Sequence, residues 1–356
     1  MHADFSIKCL QIKSVYKKRS NISIKMEKIL TFSIAAYNVE KYLDKLLKTI
    51  ICVPNNEMVE VLVVNDGSKD STAQIAKEYE KNYAGVVRLI DKENGGHGST
   101  INRGIKEAKG KYFKAIDGDD WVDSDALEKL LNDLTQIDSD LVLMDYKTCY
   151  EGGDDVLEKT AKLEPRKTID FDSVISTINY MRYHAVIYRT EMLQKNKIRL
   201  DEHCFYVDSE FMLFTIPFIK TITYVPYPLY CYRIGLGEQS VSAAGRRKHI
   251  TDGDRVEERL LKFYRKLPEN ISHGRKEYIE NGIAAHCTFH INSLMMCEES
   301  KENKKKIIEC DKKVKRTSVQ IYNDMNKMSR TVVMLRRTFY LSYTFLQRYK
   351  EKITNN

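Results

Sequence analysis

No run of about 18 consecutive apolar residues occurs anywhere in the chain, so no transmembrane helix is expected. The basic residues near the start lead into no apolar segment, so the start does not read as a secretory signal. Cys-x-x-Cys pairs are missing: Cys9, Cys52, Cys149, Cys204, Cys231, Cys287, Cys297 and Cys310 are scattered without regular spacing. In a chain of 356 residues they read as reduced, mostly buried small hydrophobes, which points to a reducing, cytoplasmic compartment. Zinc-finger spacings and the interleaved aromatics of a nucleic-acid module are absent, so no nucleic-acid partner is expected. There is no Walker loop, no dinucleotide fingerprint, no internal repeat, and a single tryptophan, Trp121.

What is present is ordinary for a globular protein: 42% hydrophobic and 30% charged residues, enough for one large domain or two moderate ones. The net charge of +8 is placed unevenly, with lysine and arginine gathered in the first 25 residues and after Lys301. Such basic ends suit an anionic surface, lipid headgroups among them. Met26 opens MEKILTFSIAAYN and reads as a natural start, so residues 1–25 are expected to be a poorly ordered extension.

The stretch from Glu93 to Trp121 organises the rest: a glycine-rich loop, an amphipathic helix closed by Gly110, a strand over Lys111–Ile116, and then Asp117, Asp119 and Asp120. Carboxylates this close on a turn repel, and a divalent cation carrying phosphates relieves that, which is how Mg²⁺ or Mn²⁺ is commonly held. The bland reading is a solvated acidic turn capping the helix at 123–136. Upstream, 29–35 and 59–64 read as buried strands and 86–90 as a third, with Leu43, Leu46, Leu47 and Ile50 at helical spacing between the first two. Strand alternating with helix at this pitch predicts a doubly wound, mostly parallel α/β sheet. The loops at Asn38, Asp66, Asn94 and Asp117 then share the carboxyl edge, where open sheets bind ligands. The Gly95-Gly96-His97-Gly98 loop would bare backbone N–H groups to phosphate or ribose oxygens.

Beyond Met144 the signals thin. Residues 150–168 read as an exposed excursion, 170–190 as helix into strand, and 221–232 as a strand. Asp208 and Glu210 stand among aromatics before an apolar helix, and the chain after Ile250 is helical. The segment 332–350 mixes apolar, aromatic and basic residues, which suits a helix docked on the core or a partner ahead of one lying on a membrane surface.

SIAAYNVEKYLDKLLKTI, VLVVNDGSKDSTAQIAKEY, NGGHGSTINRGIKEAKGKYFKAIDGDDW and YVDSEF resemble, in order and distance, the motifs of glycosyltransferase family 2 over about residues 27–250. The resemblance implies a GT-A fold, with 26–145 as the nucleotide-sugar half, 146–250 as the acceptor and catalytic half, and 251–356 as a helical C-terminal region. It implies inverting transfer of a hexosyl or N-acetylhexosaminyl group from a UDP-sugar to a glycan or lipid-linked acceptor hydroxyl, with Mn²⁺ or Mg²⁺. The products would be cell-surface polysaccharide, teichoic-acid-like polymer or glycolipid, made in the cytoplasm or at the inner face of the membrane by peripheral contact.

Carried over by position, the Ala36-Tyr37-Asn38 loop with Glu40 and Asp66 would hold the nucleoside, and Asn94, Gly96 and Ser99 would cover the nucleotide. Asp117-Gly118-Asp119 matches the DxD motif, with Asp119 as direct metal ligand and Asp117 on ribose or metal. Asp208 would be the catalytic base, Gln239, Ser240 and Ser242 would close over the diphosphate, and His249 would be a last metal or phosphate contact. Two positions depart from the pattern: Ala36 stands where the family has proline, and Val207 where it has glutamate, which leaves Glu210 as the other candidate base. Ordinary structural roles compete at several sites. Asp208 reads as a cap, His97 as a loop contact, His184 as a buried core histidine or an acceptor contact, Trp121 as core, and Arg246, Arg247 and Lys248 as a solvated patch. A nucleotidyltransferase would need a basic triphosphate loop near the first strand, which SIAAYN is not. A catalytically weak nucleotide-sugar or membrane-surface binding module is the alternative from another class.

Overall fold

The computed structural model describes residues 27–235 and 242–354, with side chains described through Lys350. The expected extension at 1–25 and the expected diphosphate contacts Gln239 and Ser240 lie outside the described residues. The chain forms two compact units. The first takes the chain up to Phe171, then Met181–His203 and Phe218–Ile234. The second takes Asp172–Tyr180, Cys204–Pro217 and everything from Gly235 onward.

The first unit is built on one mixed sheet. Its strands are β1 Leu30–Ala36, β2 Val59–Asp66, β3 Val87–Lys92, β4 Tyr112–Asp117, β5 Trp121–Val122, β6 Leu141–Tyr150, β7 Val156–Glu158, β8 Thr168–Asp170, β9 Val186–Arg189 and β10 Thr221–Ile234. The order is β3-β2-β1-β4-β9-β6-β10-β5, with β7 beside β6 and β8 beside β10. All eight residues of β2 are buried, as a strand covered on both faces must be. The helices α1 Glu40–Ile51, α2 Thr72–Asn82, α3 His97–Glu107 and α4 Ser124–Leu134 alternate with the first strands, and α5 Thr190–Lys195 follows β9. In α1 the side chains of Leu43, Leu46, Leu47 and Ile50 are buried, the face the helical spacing predicts.

The quartet β3-β2-β1-β4 is parallel throughout, as expected. Its register sets Ala36 beside Asn65, Asn65 beside Asp91 and Ala35 beside Asp117, so the following loops emerge at one edge. The other half is mixed rather than parallel, because β9 runs antiparallel between β4 and β6. A four-residue strand entered from a loop needs no crossover helix, so its direction is not constrained as that of a βαβ strand is. The strand expected at 141–144 continues to Tyr150 and pairs in parallel with β10.

The second unit is helical: α6 Asp208–Phe214, α7 Ala243–Lys248, α8 Ile250–Tyr264, α9 His273–Leu294, α10 Lys301–Thr317, α11 Val319–Met328, α12 Arg330–Arg337 and α13 Tyr343–Thr354. Serines stop the fraying of these helices. Ser242, Ser272, Ser300, Ser318 and Ser329 each accept a backbone N–H from the first turn that would otherwise lack a partner. Ile279, Ile283, Cys287 and Ile291 run along α9, which is buried on several sides. The segment expected to be one amphipathic helix over 332–350 is instead two helices around a corner at 338–342. Val332, Leu335 and Tyr343 are buried in the unit, so one side of this pair docks. Among the described residues no helix is long and apolar enough to cross a membrane.

Candidate functional site

Three loops of the first unit are tied together at the carboxyl edge of the sheet. Asn38 turns the chain with a left-handed backbone, φ 53°. Its side-chain oxygen accepts from Lys69 N at 2.8 Å, and its own N–H donates to Ser68 Oγ at 3.0 Å. Glu40 Oε2 accepts from Ser71 N at 2.9 Å, while Asp70 Oδ2 accepts from Glu40 N at 3.1 Å. Tyr37 is exposed beside them, and Ala36 is buried at the end of β1.

Asp66 is the hub of the glycine loop. Its two carboxylate oxygens accept from Gly95 N at 2.9 Å and Gly96 N at 2.8 Å, and Lys92 Nζ pairs with the same carboxylate. Ser99 Oγ lies 3.3 Å from it, and Asn94 Nδ2 donates to the Asp66 carbonyl at 2.9 Å. The loop's first N–H groups are therefore not bare, contrary to expectation: this buried carboxylate gathers the N–H groups and the ammonium next to it, since leaving them unpaired is costly. Gly96 sits at φ 78°, which a side chain would strain, and a Cβ on Gly98 would stand 2.0 Å from the Asp201 carbonyl oxygen. A cavity of about 640 Å³ opens along α3, reaching Lys92 and Ser99 but none of the acidic residues at the end of β4.

That acidic cluster divides its labour. Asp120 is buried and fully engaged, accepting from Tyr230 Oη at 2.6 Å and from Arg233 N at 2.7 Å. Burial, then Asp117 and Asp119, pushes its carboxyl well above the usual range. Asp117 Oδ1 meets His97 Nε2 at 2.9 Å. Burial works to raise Asp117, yet His97, His184 and Lys114 outweigh it and hold the group below the ordinary carboxylate range. Asp119 is half-buried, and its carboxylate takes no hydrogen bond from another residue among those described. Burial and the Asp117 charge push it up to about 6. Gly118 lets the turn pass under β1: a Cβ there would lie 2.9 Å from the Ala35 carbonyl oxygen.

Below the turn lies a polar floor that the sequence motifs do not announce. Lys114 is buried in β4 and donates to the carbonyls of Tyr183, His184 and Val186 at 3.0, 2.8 and 3.2 Å. Burial pulls its ammonium down to about 7, against the pull of Asp117 and Asp120. His184 is held by rings, stacked on Tyr232 at 4.1 Å and edge-on to Tyr230 at 4.8 Å. Burial lowers its imidazole to about 3, so it is neutral, and its Nδ1 is buried without a hydrogen-bond partner among the described residues. Ligand atoms of Asp117, Asp120 and His184 lie within 4.8 Å of one another. A neutral imidazole with an unpaired nitrogen beside crowded carboxylates can hold a divalent cation, the carboxylates being the oxygen donors that Mg²⁺ and Mn²⁺ take. Lys45 Nζ lies 3.1 Å and the Arg233 guanidinium 4.9 Å from the centre of the Trp121 ring, so cations stand where a sugar would stack.

The other expected residues belong to the second unit. Asp208 opens α6 and is exposed, whereas Glu210 one turn in is wholly buried. Tyr206 just before them has a left-handed backbone, φ 65°. Ser242 caps α7. His249 stacks on Phe205 at 3.6 Å and pairs through Nδ1 with Asp252 Oδ2 at 3.1 Å. Arg246 is not part of a solvated patch: it donates to Ser293 Oγ at 2.9 Å and lies over Phe289 at 4.2 Å.

Residues 31–196 match the family described as glycosyl transferase family 2. The chain is 30% identical over 215 residues to the putative glycosyltransferase EpsH of Bacillus subtilis, covering 57% of this chain and 60% of that protein. It is 29% identical over 187 residues to the poly(ribitol-phosphate) beta-N-acetylglucosaminyltransferase TarS of Staphylococcus aureus, covering 51% of this chain and 31% of that one. The matches thus span less than two thirds of these relatives. The fold resembles the crystal structure of S. aureus TarS 1-349 in complex with UDP-GlcNAc, with a TM-score of 0.65 at 19% identity over 91% of this chain and 92% of that one.

Proposed function

The chain belongs to glycosyltransferase family 2, and from that premise we propose that it transfers a sugar, with inversion, from a UDP-sugar to an acceptor hydroxyl of a cell-surface polysaccharide, teichoic-acid-like polymer or glycolipid. The observation that carries this reading is the acidic turn after β4, where ligand atoms of Asp117, Asp120 and the neutral His184 lie within 4.8 Å of one another and Asp119 stands next to them in the turn. Asp119 and Asp117, with His184 below, would hold Mn²⁺ or Mg²⁺ together with the donor diphosphate. Asp120, spent on Tyr230 and Arg233, positions the turn. Such an ion supplies charge neutralisation for the departing diphosphate.

The chain's own groups do the rest. The laced loops of Asn38, Glu40 and Asp66 hold the nucleoside edge in place, and Ser99 with the glycine loop covers it. Asp208, exposed at the start of α6, takes the proton from the acceptor hydroxyl as that oxygen bonds to the anomeric carbon. The bond from that carbon to the diphosphate breaks with its electron pair, and UDP leaves. One relative supports this choice: TarS is named a poly(ribitol-phosphate) beta-N-acetylglucosaminyltransferase, and a solved structure of it holds UDP-GlcNAc.

The test is a panel of UDP-, GDP-, CDP- and dTDP-sugars with Mn²⁺ or Mg²⁺, read by thermal shift and slow hydrolysis on wild type and Asp119→Ala. A metal-dependent shift with UDP-sugars, lost in the variant, is the expected result. No shift with any nucleotide under either metal would sink the transferase reading in favour of a binding module.

A further inference from the structure

The corner between α12 and α13 leaves large apolar side chains in water. Phe339 is 85% exposed, Leu341 81% and Phe345 67%. The corner is built, not loose. Tyr340 between the two most exposed residues points inward, its hydroxyl on the buried carboxylate of Asp311. Arg336 grips the same carboxylate through Nε at 3.0 Å and lies over Tyr322 at 3.5 Å. Phe339 and Tyr340 both take left-handed backbones, φ 48° and 61°, a conformation that costs a bulky residue energy and persists only where the surroundings impose it. That strain and the Tyr340 anchor turn Phe339 and Leu341 outward as a fixed wedge. Phe345 and Tyr349 continue from Leu341 at steps of four residues, one helix face, and both are exposed.

Charge names the partner. Residues 330–350 contain Arg330, Arg336, Arg337, Arg348 and Lys350 and no Asp or Glu. Arg330, Met334 and Arg337 follow one another at helical spacing and are exposed. Neither Arg330 nor Arg337 meets a carboxylate among the described residues. A protein partner in water would be expected to meet a flat apolar patch. Separated aromatic and aliphatic knobs set among unpaired arginines are instead the pattern of a surface that dips its apolar groups below a layer of anionic headgroups.

We propose that the α12–α13 corner docks the protein on an anionic lipid bilayer, with Phe339, Leu341 and Phe345 inserted and Arg330 and Arg337 on the headgroups. The corner contains none of the residues proposed for donor binding, so Asp119→Ala should dock as wild type does, which separates failure of this inference from failure of the transferase reading.

The experiment is co-sedimentation of the full chain with phosphatidylcholine vesicles, pure or containing about one-third phosphatidylglycerol. Wild type should bind the anionic vesicles at least about tenfold better than the neutral ones, and less well as salt rises. Phe339→Asn with Leu341→Gln should lower binding by at least about tenfold, since each removes a buried apolar group. Asparagine tolerates the left-handed backbone, so an unchanged melting curve checks that the fold survives. As a second readout, Phe339→Trp should gain fluorescence that brominated lipid quenches. Equal binding by wild type and the double variant would overturn the proposal. So would a dimer in light scattering that the double variant dissolves, because the occupant would then be a second copy of the chain.

Discussion

At the scale of single residues, the two carboxylates near the start of α6 have opposite surroundings. Asp208 is exposed and Glu210 has no exposed surface. Only the first is open to the acceptor hydroxyl that the proposed reaction deprotonates. Asp208→Asn should therefore keep the donor-induced thermal shift while turnover falls by about 10²–10⁴-fold, the span a positioned base contributes. Glu210→Gln should lower the melting temperature and leave the kcat of the remaining folded protein within a few-fold. The reverse pattern in steady-state kinetics would move the base to Glu210. Asp119 carries a second expectation. Its carboxyl, raised to about 6 by burial and Asp117, holds a proton that a cation must displace. Cation affinity should rise by up to about tenfold per pH unit toward pH 6 and level off above it. The sign for stability is opposite: a carboxyl raised in the folded state favours folding below its unfolded value of about 4, and that contribution is lost as pH rises through about 6. The thermal shift produced by Mn²⁺ should accordingly grow between about pH 5 and pH 7. A flat profile would show that Asp119 is not a ligand.

At the scale of elements, Lys114 couples β4 to β9. Three carbonyls of the 183–186 segment depend on one ammonium, and that segment carries His184. Lys114→Met fills the space but leaves those carbonyls buried and unpaired. A loss of about 3–5 kcal/mol is expected from chemical denaturation, with weaker cation binding because His184 loses its support. A loss under about 1 kcal/mol would mean that water replaces the ammonium. This same element marks where the sequence stops being legible. The parallel quartet could be read because each strand is a local apolar run joined by a helix with its own periodicity. The Asp66 and Asp117 loops could be read because glycine and aspartate cluster within a few residues. Lys114 could not: a lysine inside an apolar strand reads as a solvated side chain until its acceptors, about 70 residues on, are known. His184 and Tyr230 reach the acidic turn from 67 and 113 residues beyond Asp117, with no motif around either, so only the β4-β9-β6-β10 order brings them there. The corner at 338–342 was hidden for a different reason. Its helical periodicity runs on through the break, and what breaks it is the pull of Asp311 on Tyr340.

At the scale of the whole molecule, the two units are interleaved in the chain rather than joined end to end. Residues 172–180 and 204–217 leave the sheet unit, join the helical unit and return. Their apolar side chains, among them Ile175, Val207, Phe211, Leu213 and Ile216, are buried. Within the helical unit α6 packs on α8 and α9, and the turn at 175–177 packs on α9. A fragment ending at Ile234 would keep these segments and lose the helices that cover them. At 1.5–3 kcal/mol for each large apolar side chain, the five named residues alone represent about 10 kcal/mol of burial. That is comparable to the net stability of a typical domain, about 5–15 kcal/mol. Residues 27–234 expressed alone should thus be aggregated, or should bind a hydrophobic dye strongly and melt without a cooperative transition, although every residue proposed for the donor site in the sheet unit is present. A monomeric, dye-silent fragment with a metal-dependent UDP-sugar shift would show that the sheet unit folds and binds by itself. The inserted segment at 204–217 would then bring the proposed base Asp208 within that fragment, and the helices after Ile234 would contribute only the surface they present.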